Sequence, residues 1–229
     1  MAKVIAIDGP SGAGKSSVSR LVGERLGFLH VDSGALYRIM TWQALERGID
    51  TDDPAAVAAF APTVAIECRA EDGAIRYSVG GEAPGDRIRK PEINAHASQV
   101  ATVGEVRARI TALLRSLVRF GDLVVEGRDI TTAVFPDSPA RFYLTASAEA
   151  RARRRQKEEV DKGIANQSAE AVKASLLARD AIDSTRKCAP LRKADGALEI
   201  DSSELTLDEV VAAVLEALPQ DFKEGRQGK

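Results

Sequence analysis

The stretch that decides the fold is VIAIDGPSGAGKSS, residues 4–17, in which an apolar strand pattern runs into a glycine-rich loop and then a helix pattern. Residues 9–16 match G-x-x-x-x-G-K-[ST], with the strand before and the helix after that this motif requires. Backbone N–H groups and the helix N-terminus of such a loop surround phosphates, while its lysine and serine reach the terminal phosphates and Mg²⁺. The loop therefore predicts a nucleoside triphosphate site, with Ser16 ordering Mg²⁺ through the bound nucleotide. The expected ATP-binding residues are Gly9, Pro10, Ser11, Gly12, Ala13, Gly14, Lys15, Ser16 and Ser17.

Outside the loop, short apolar runs alternate with longer helical patterns, which is typical of an α/β fold with a parallel sheet flanked by helices. Five parallel strands are predicted, at residues 3–8, 28–32, 122–127, 141–146 and 197–201. Eight helices are predicted, at residues 14–26, 36–47, 54–60, 92–101, 103–120, 148–159, 169–186 and 207–218. Residues 63–90 have instead the pattern of strand, Asp-Gly turn, strand and glycine-rich link, so we expect a small antiparallel insertion there.

The composition is that of a globular chain and argues against two kinds of partner. Of the 229 residues, 44% are hydrophobic and 29% are charged, and no apolar run approaches the ~20 residues of a membrane span. The N-terminus has no secretory signal pattern, so we expect a cytoplasmic protein. The net charge of −2 argues against a nucleic-acid partner. Cys68 and Cys188 lie far apart without metal-ligand spacing, which favours free thiols.

The basic residues are concentrated in one part of the chain. Residues 151–193 contain twelve Lys or Arg and six Asp or Glu. This segment begins with RARRRQK, residues 151–157, which taken alone fits a nucleic-acid patch, a solvated helix face or part of a catalytic site. Helical spacing puts Arg151, Arg154 and Arg155 on one face and directs Arg153 away from it. A confined anionic ligand explains the asymmetry better than a nucleic acid does.

The phosphate loop is shared by GTPases, motors and kinases, so other features must decide between them. Asp-x-x-Gly and Asn-Lys-x-Asp, which a GTPase should carry, occur nowhere in the sequence. The short chain and the N-terminal position of the loop favour a small-molecule kinase. One alternative is a hydroxyl acceptor such as shikimate, which needs a general base, and Asp32 and Asp129 are the candidates. A nucleotide-binding module with no acceptor is the other.

Ligands of an open parallel sheet lie beyond the carboxyl ends of its strands, where this chain is rich in polar residues. DSGALYR follows the second strand and EGRDITT ends the third. Glu126 or Asp129 could order Mg²⁺ through water, although helix capping or loop solvation explains Asp32 and Glu126, each taken alone, equally well. Farther along, Arg179, Asp183 and Arg186 are spaced i, i+4, i+7 on one helix stripe, which could also be a surface row of salt bridges.

Five motifs occur in order between Ile7 and about Ser202: IDGPSGAGKSS, VDSGALYR, ASQVA with a later VR, GRDI with VFPD, and RDAIDSTR with APL. As a set they closely resemble bacterial cytidylate kinases. The resemblance implies phosphoryl transfer from ATP, with Mg²⁺, to CMP or dCMP. It implies as catalytic residues Lys15, Arg128, Arg154 and Arg155. It implies as CMP-binding residues Ser33, Tyr37, Arg38, Ser98, Arg107, Arg128, Asp129, Arg179, Asp183 and Arg186.

The resemblance also assigns roles within this CMP site. The monophosphate is held by Ser33, Arg38 and Arg128, and the cytosine is contacted by Ser98, Arg107 and Asp129. The ribose is contacted by Arg179 and Asp183, with Arg186 in the same group. The carboxylate of Asp129 can accept a hydrogen bond from the cytosine N4 amine but would face the O4 acceptor of uracil with no proton between them. We therefore expect CMP to be preferred to UMP.

The resemblance divides the chain into regions, whereas a monomer is expected because no long apolar surface helix stands out in the sequence. The core domain is expected at residues 1–32, 103–150 and 166–220, and the CMP-binding region at 33–102, including the insertion at about 63–90. A short helical lid, whose arginines reach across the transferring phosphoryl group, is expected at 151–165. A flexible tail is expected at 221–229.

One departure from the family pattern concerns the loop that carries Asp129. Thr131 occupies a position that is usually glycine. A β-branched residue cannot easily adopt a positive φ, so the loop could have a different shape. That shape would bear directly on base selectivity.

Overall fold

A computed structural model describes residues 2–161 and 168–223 of the chain. Within these residues, the strands form one seven-stranded sheet in the order β3-β4-β2-β5-β1-β6-β7. The strands are β1 Val4–Asp8, β2 Leu29–Asp32, β3 Ile66–Glu71, β4 Ala74–Val79, β5 Leu123–Gly127, β6 Ala140–Thr145 and β7 Leu198–Asp201. All neighbouring pairs are parallel except β3 and β4, which form an antiparallel hairpin at one edge.

The prediction of a five-stranded sheet is wrong in number. The five predicted parallel strands are present, and the predicted antiparallel pair forms as well. The pair is not separate from the sheet, because β4 lies beside β2 with Ala74 aligned on His30. The hairpin therefore extends the core sheet beyond β2 and supplies two further strands.

Helices cover both faces of the sheet. They are α1 Lys15–Leu26, α2 Ser33–Glu46, α3 Pro54–Phe60, α4 Pro91–Val100, α5 Gly104–Ser116, α6 Ala148–Asp161, α7 Ala169–Thr185, α8 Leu207–Ala217 and α9 Gln220–Lys223. Each predicted helix is present, although the one expected at 103–120 ends as a 3₁₀ turn, Leu117–Phe120, after α5. Among the helices of the described ranges, none has both the length and the apolar character needed to cross a bilayer.

The central strands are apolar throughout because helices bury them on both sides. Every residue of β1 and β5 is buried. Successive side chains of β1 point to opposite faces, so Ile5 and Ile7 join the core under α1 and α8 while Ala6 joins the core under α2 and α5. This packing fixes the end of β1, from which the glycine-rich loop begins.

The C-terminal residues are folded farther than the sequence indicated. A flexible tail was expected from residue 221, but Phe222 in α9 is buried against Phe28, with ring centroids 6.3 Å apart. This part of the prediction is wrong because one aromatic residue anchors an otherwise polar segment. The rest of the predicted tail, 224–229, lies outside the described residues, as do 162–165 of the predicted lid.

Candidate active site

A cavity of about 440 Å³ opens at the carboxyl ends of β1, β2 and β5, between the glycine-rich loop, α2, α4 and α7. Most of the predicted site residues line it. From the ATP set these are Ser11, Gly12, Gly14, Lys15, Ser16 and Ser17. From the CMP set they are Ser33, Tyr37, Arg38, Ser98, Arg128, Asp129, Arg179, Asp183 and Arg186, together with Glu126 and Arg155. The lining does not include Gly9, Pro10, Ala13, Arg107 and Arg154.

The glycine-rich loop is held tightly against β6. Gly9 has φ of 150°, and a Cβ there would lie 1.9 Å from the carbonyl oxygen of Leu144, so only glycine fits. Lys15 is buried, and its Nζ donates to the carbonyl oxygen of Pro10 at 2.7 Å. Burial and the neighbouring Arg128 lower the pKa of Lys15 to about 7. Bound phosphates would restore its charge and replace this internal acceptor.

A buried network of arginines and aspartates forms the opposite wall. Asp129 accepts a hydrogen bond from Arg107, and its other carboxylate oxygen lies 3.7 Å from Arg186. Asp183 pairs with Arg186 at 3.2 Å and with Arg128 at 3.1 Å. The Asp183 and Arg186 side chains are only 6% and 2% exposed. The alternative of a surface salt-bridge row is therefore wrong for these two residues.

Several guanidinium groups in this wall still have unused donors. The Nε atoms of Arg38, Arg107 and Arg179 are buried and have no hydrogen-bond partner. Burial and the nearby charge of Arg128 lower the pKa of Arg179 to about 10. Buried cations that repel one another and keep free donors are stabilised by an anionic ligand. The cavity is therefore suited to phosphate groups.

Acidic residues at the mouth of the cavity are engaged in different ways. Asp32 caps α2 by accepting from the backbone N of Ala35 at 3.0 Å, so the capping alternative is correct for this residue. It also pairs with Arg38 at 2.7 Å, and Arg38 lowers its pKa although burial opposes the charge. Glu126 is buried, and its carboxylate Oε1 lies 3.4 Å from the imidazole of His30.

The Asp129 loop is shaped by Asp8, which the sequence did not single out. Residues Ile130–Val134 form a π-helical turn. Asp8 accepts from the backbone N of Ile130 at 2.8 Å and from the backbone N and Oγ1 of Thr131 at 2.7 and 2.6 Å. Asp72 and Ala189 are the non-glycine residues with positive φ in the described ranges, so Thr131 is not strained. The concern that threonine could not fit this loop is not confirmed.

The arginines of α6 have partners other than the acceptor wall. Arg154 donates to Oγ of Ser202 at 2.9 Å and to its carbonyl oxygen. Arg155 pairs within its own helix, with Glu159 at 3.1 Å and Glu158 at 3.4 Å. Arg153 is exposed, whereas Arg151 is buried, as the helical spacing predicted. Ser202, which closes β7, is a further contact that no sequence motif indicated.

A phosphate loop at the end of the first strand, facing a basic pocket at the carboxyl ends of neighbouring strands, defines the class of P-loop phosphotransferases. The model of the cytidylate kinase family matches residues 5–220. The chain belongs to the cytidylate kinase family.

Individual relatives agree with the family model. The chain is 45% identical to a cytidylate kinase of Streptomyces avermitilis over 216 residues, covering 93% of this chain and 91% of that protein. It is 39% identical to a cytidylate kinase of Halalkalibacterium halodurans over 211 residues, covering 92% and 95%. A solved structure of an uncharacterized protein from Eubacterium ventriosum is 11% identical, with a TM-score of 0.51 over 93% of this chain and 96% of that one, and shows a similar fold only.

Proposed function

We propose that this chain transfers the terminal phosphoryl group of ATP, bound with Mg²⁺, to the phosphate of CMP or dCMP. The observation that carries the proposal is a single cavity in which a phosphate loop faces a buried network built from Arg107, Asp129, Asp183 and Arg186. The names of the relatives agree with it, since those proteins are cytidylate kinases. A monomer working in the cytoplasm is part of the same proposal.

The donor half of the site binds ATP through the loop at residues 9–17. Lys15 exchanges the carbonyl of Pro10 for phosphate oxygens and regains its full charge. The described residues contain no group of three or more His, Cys, Asp and Glu side chains that could hold a metal by itself. This fits Mg²⁺, which is commonly held by one or two protein oxygens together with substrate phosphates and water.

For the metal, Ser16 would supply its hydroxyl and Glu126 would act through water. The Glu126 carboxylate is close enough to Lys15 to influence its pKa, and its Oε1 contacts the imidazole of His30 rather than an arginine. Asp129 is a poorer candidate, because Arg107 and Arg186 already surround its carboxylate. Once bound, the ion would neutralise phosphate charge during transfer.

The acceptor phosphate is bound by Arg38 and Arg128, with help from Ser33, while Arg179 and Asp183 contact the ribose. The free Nε donors of Arg38 and Arg179 and the repulsion among these cations support an anion at this place. A nucleoside monophosphate has a second pKa near ~6, so its attacking oxygen is already ionised at neutral pH. The reaction then requires charge neutralisation and alignment and no general base.

The cytosine is recognised by Asp129 and Arg107, together with Ser98 from α4 and the ring of Tyr37. The Arg107 guanidinium lies 5.3 Å from the Tyr37 ring centroid and fixes the Asp129 carboxylate. A carboxylate held in this way can accept from the exocyclic amine of cytosine but not from the O4 carbonyl that uracil has at the same position. The unmatched acceptor pair with uracil costs about 1–3 kcal/mol, which favours CMP over UMP.

The regions of the chain follow from these roles. Residues 33–102 contribute the acceptor side, with the β3–β4 hairpin extending it, and residues 151–165 act as the lid over the transferred group. Arg154 and Arg155 would leave their contacts with Ser202 and Glu159 to reach the phosphates when the lid closes. Closing would exclude water and suppress hydrolysis of ATP.

A hydroxyl acceptor such as shikimate is not favoured. Such an acceptor needs a free general base, and both candidates are already engaged by cations: Asp32 by Arg38, and Asp129 by Arg107. The family membership points the same way.

The test is ADP formation from ATP with CMP, dCMP, UMP, AMP or shikimate as the acceptor, with an acceptor-free reaction as the baseline. The proposal predicts turnover that depends on CMP or dCMP, with UMP used less efficiently. Turnover with shikimate alone would support the hydroxyl-acceptor alternative. ADP formation that ignores every acceptor would overturn the proposal in favour of a nucleotide-binding module.

A further inference from the structure

The helices α6 and α7 meet at a side-chain cluster that touches the phosphate loop from outside the substrate cavity. Asp180 of α7 accepts from the backbone N of Ser11 at 3.1 Å, and Arg151 of α6 donates to the carbonyl oxygen of Ser11 at 3.1 Å. Arg151 and Asp180 also form an ion pair with each other. The backbone N–H and the backbone carbonyl of Ser11 are therefore both bound by the Arg151–Asp180 pair.

The packing around this pair is tight enough to hold the loop in place. A Cβ on Gly12 would lie 3.1 Å from Cβ of Arg151 and 3.3 Å from its carbonyl oxygen, so α6 lies directly against the loop. Arg151 also donates through Nε to the carbonyl of Ala146 at 3.1 Å, which ties it to the end of β6. The Arg151 and Asp180 side chains are 7% and 15% exposed. Little solvent is available to replace these bonds.

We propose that Asp180 is a positioning residue for ATP binding, which acts with Arg151 by fixing the Ser11 peptide of the phosphate loop. The inference rests on the proposed function only in taking this loop as the ATP site. Because the Ser11 N–H donates to Asp180, it does not point to the phosphates. The amides that follow it in the loop are held in the positions from which they bind the phosphates. Asp180 touches neither substrate and contributes through the loop.

The neighbouring residue on α7 gives the arrangement a wider consequence. Arg179 lines the acceptor cavity, while Asp180 points to the phosphate loop. One turn of α7 therefore contacts both halves of the site. Replacing Asp180 should lower the affinity for ATP, whereas the affinity for CMP depends on the side of α7 that carries Arg179.

The experiment measures ATP and CMP affinities separately by calorimetry, in wild type, Asp180→Ala, Asp180→Asn and Lys173→Ala. Lys173→Ala is the matched control, since the Lys173–Glu149 pair joins the same two helices without touching the loop. Asp180→Ala should weaken ATP binding roughly tenfold, the effect of one lost hydrogen bond to a charged group, with CMP affinity within about twofold. Asp180→Asn, which keeps an acceptor for the Ser11 N–H, should lose less, and Lys173→Ala should bind both nucleotides as wild type does.

Unchanged ATP affinity in both Asp180 variants would overturn the proposal, and so would equal losses for ATP and CMP, because a merely structural contact would show either pattern. If Asp180→Ala does not fold, Asp180→Asn decides, since removing the charge without removing the acceptor should still weaken ATP binding more than CMP binding. This experiment can fail independently of the proposed function. Wild-type protein that binds ATP but does not phosphorylate CMP would overturn the proposed function and leave the role of Asp180 untouched.

Discussion

The acceptor wall and helix α6 both present arginines to the cavity, but they hold them in different ways. In the acceptor wall, Arg107 and Arg186 are buried and paired with Asp129 and Asp183, which come from other elements of the chain. On α6, Arg155 is one-third exposed and paired with a glutamate of its own helix. Buried pairs are strongly coupled to folding, whereas exposed pairs at i,i+4 contribute only a few tenths of a kcal/mol. The acceptor side is thus assembled with the fold, while α6 can exchange its partners at little cost.

The largest expected effect is on stability and comes from removing a carboxylate of the acceptor wall. Asp183→Ala leaves the buried Arg186 and the partly buried Arg128 without their shared carboxylate, so the free energy of unfolding should fall by about 3–5 kcal/mol. Glu159→Ala, which removes a partner of Arg155 on α6, should cost no more than about 0.5 kcal/mol. Urea unfolding followed by circular dichroism measures both. Equal losses of unfolding free energy in the two variants would contradict the distinction between the acceptor wall and α6.

The next effect concerns catalysis. Arg154→Ala and Arg155→Ala should each lower kcat about 100-fold or more, because each would remove a positive charge from the phosphoryl transition state. Arg153→Ala is the control, since that side chain is exposed on the same helix. Steady-state kinetics with CMP as the acceptor measures all three, and the free energy of unfolding should change little in any of them. A wild-type kcat for Arg154→Ala and Arg155→Ala would contradict the lid assignment.

A smaller effect concerns the base. Asp129→Asn keeps the shape of the side chain but replaces one acceptor oxygen with an amide donor, which can serve uracil. The preference for CMP over UMP, measured as the ratio of kcat/KM values, should fall by about 1–3 kcal/mol. Glu159→Gln on α6 should leave the ratio unchanged. A retained preference in Asp129→Asn would mean that another group reads the base.

The smallest effect concerns the anchor of the Asp129 loop. Burial raises the pKa of Asp8 to about 6 from an ordinary value of 3.8, and the hydrogen bond from Thr131 opposes this rise. Thr131→Val should therefore raise the pKa of Asp8 further and lower the free energy of unfolding by about 1 kcal/mol. Thr131→Ser, which keeps the hydroxyl, should leave both quantities near their wild-type values. NMR titration of the Asp8 carboxyl gives the first quantity and urea unfolding the second.

The sign of the pH dependence follows from that pKa. A carboxyl whose folded pKa lies above its unfolded value binds protons more tightly in the fold, so its contribution to stability declines as pH rises from 3.8 to about 6. In Thr131→Val the decline extends to higher pH, so the difference from wild type should be larger at pH 8 than at pH 4. A constant difference across this range would show that the hydroxyl does not act through Asp8.

Local patterns in the sequence predicted most of the fold. The five parallel strands were identifiable because helix-covered strands are continuous apolar runs bounded by turn residues. The seven-stranded sheet was not, since β4 joins β2 with only His30 and Ala74 aligned, and no sequence pattern marks such a junction. Phe222 was missed for a related reason: its partner Phe28 is far away in the chain.

The residues of the candidate site also differ in whether a local sequence pattern could reveal them. Arg179, Asp183 and Arg186 were found because helical spacing places them on one stripe, and most of the other residues were found by resemblance. Asp8 and Asp180 were missed, although each lies within a recognised motif. Their partners, Thr131 and Ser11, are 123 and 169 residues away in sequence, so only the folded chain brings them together.

The most direct test of the account is calorimetric titration of CMP into the protein in the absence of ATP. If the acceptor wall is assembled with the fold, CMP should bind one to one without any donor nucleotide. UMP should bind more weakly by about 1–3 kcal/mol, the cost of meeting the Asp129 carboxylate with an acceptor. CMP binding that appears only after an ATP analogue is added would contradict the account, because the acceptor side would then depend on closure of α6.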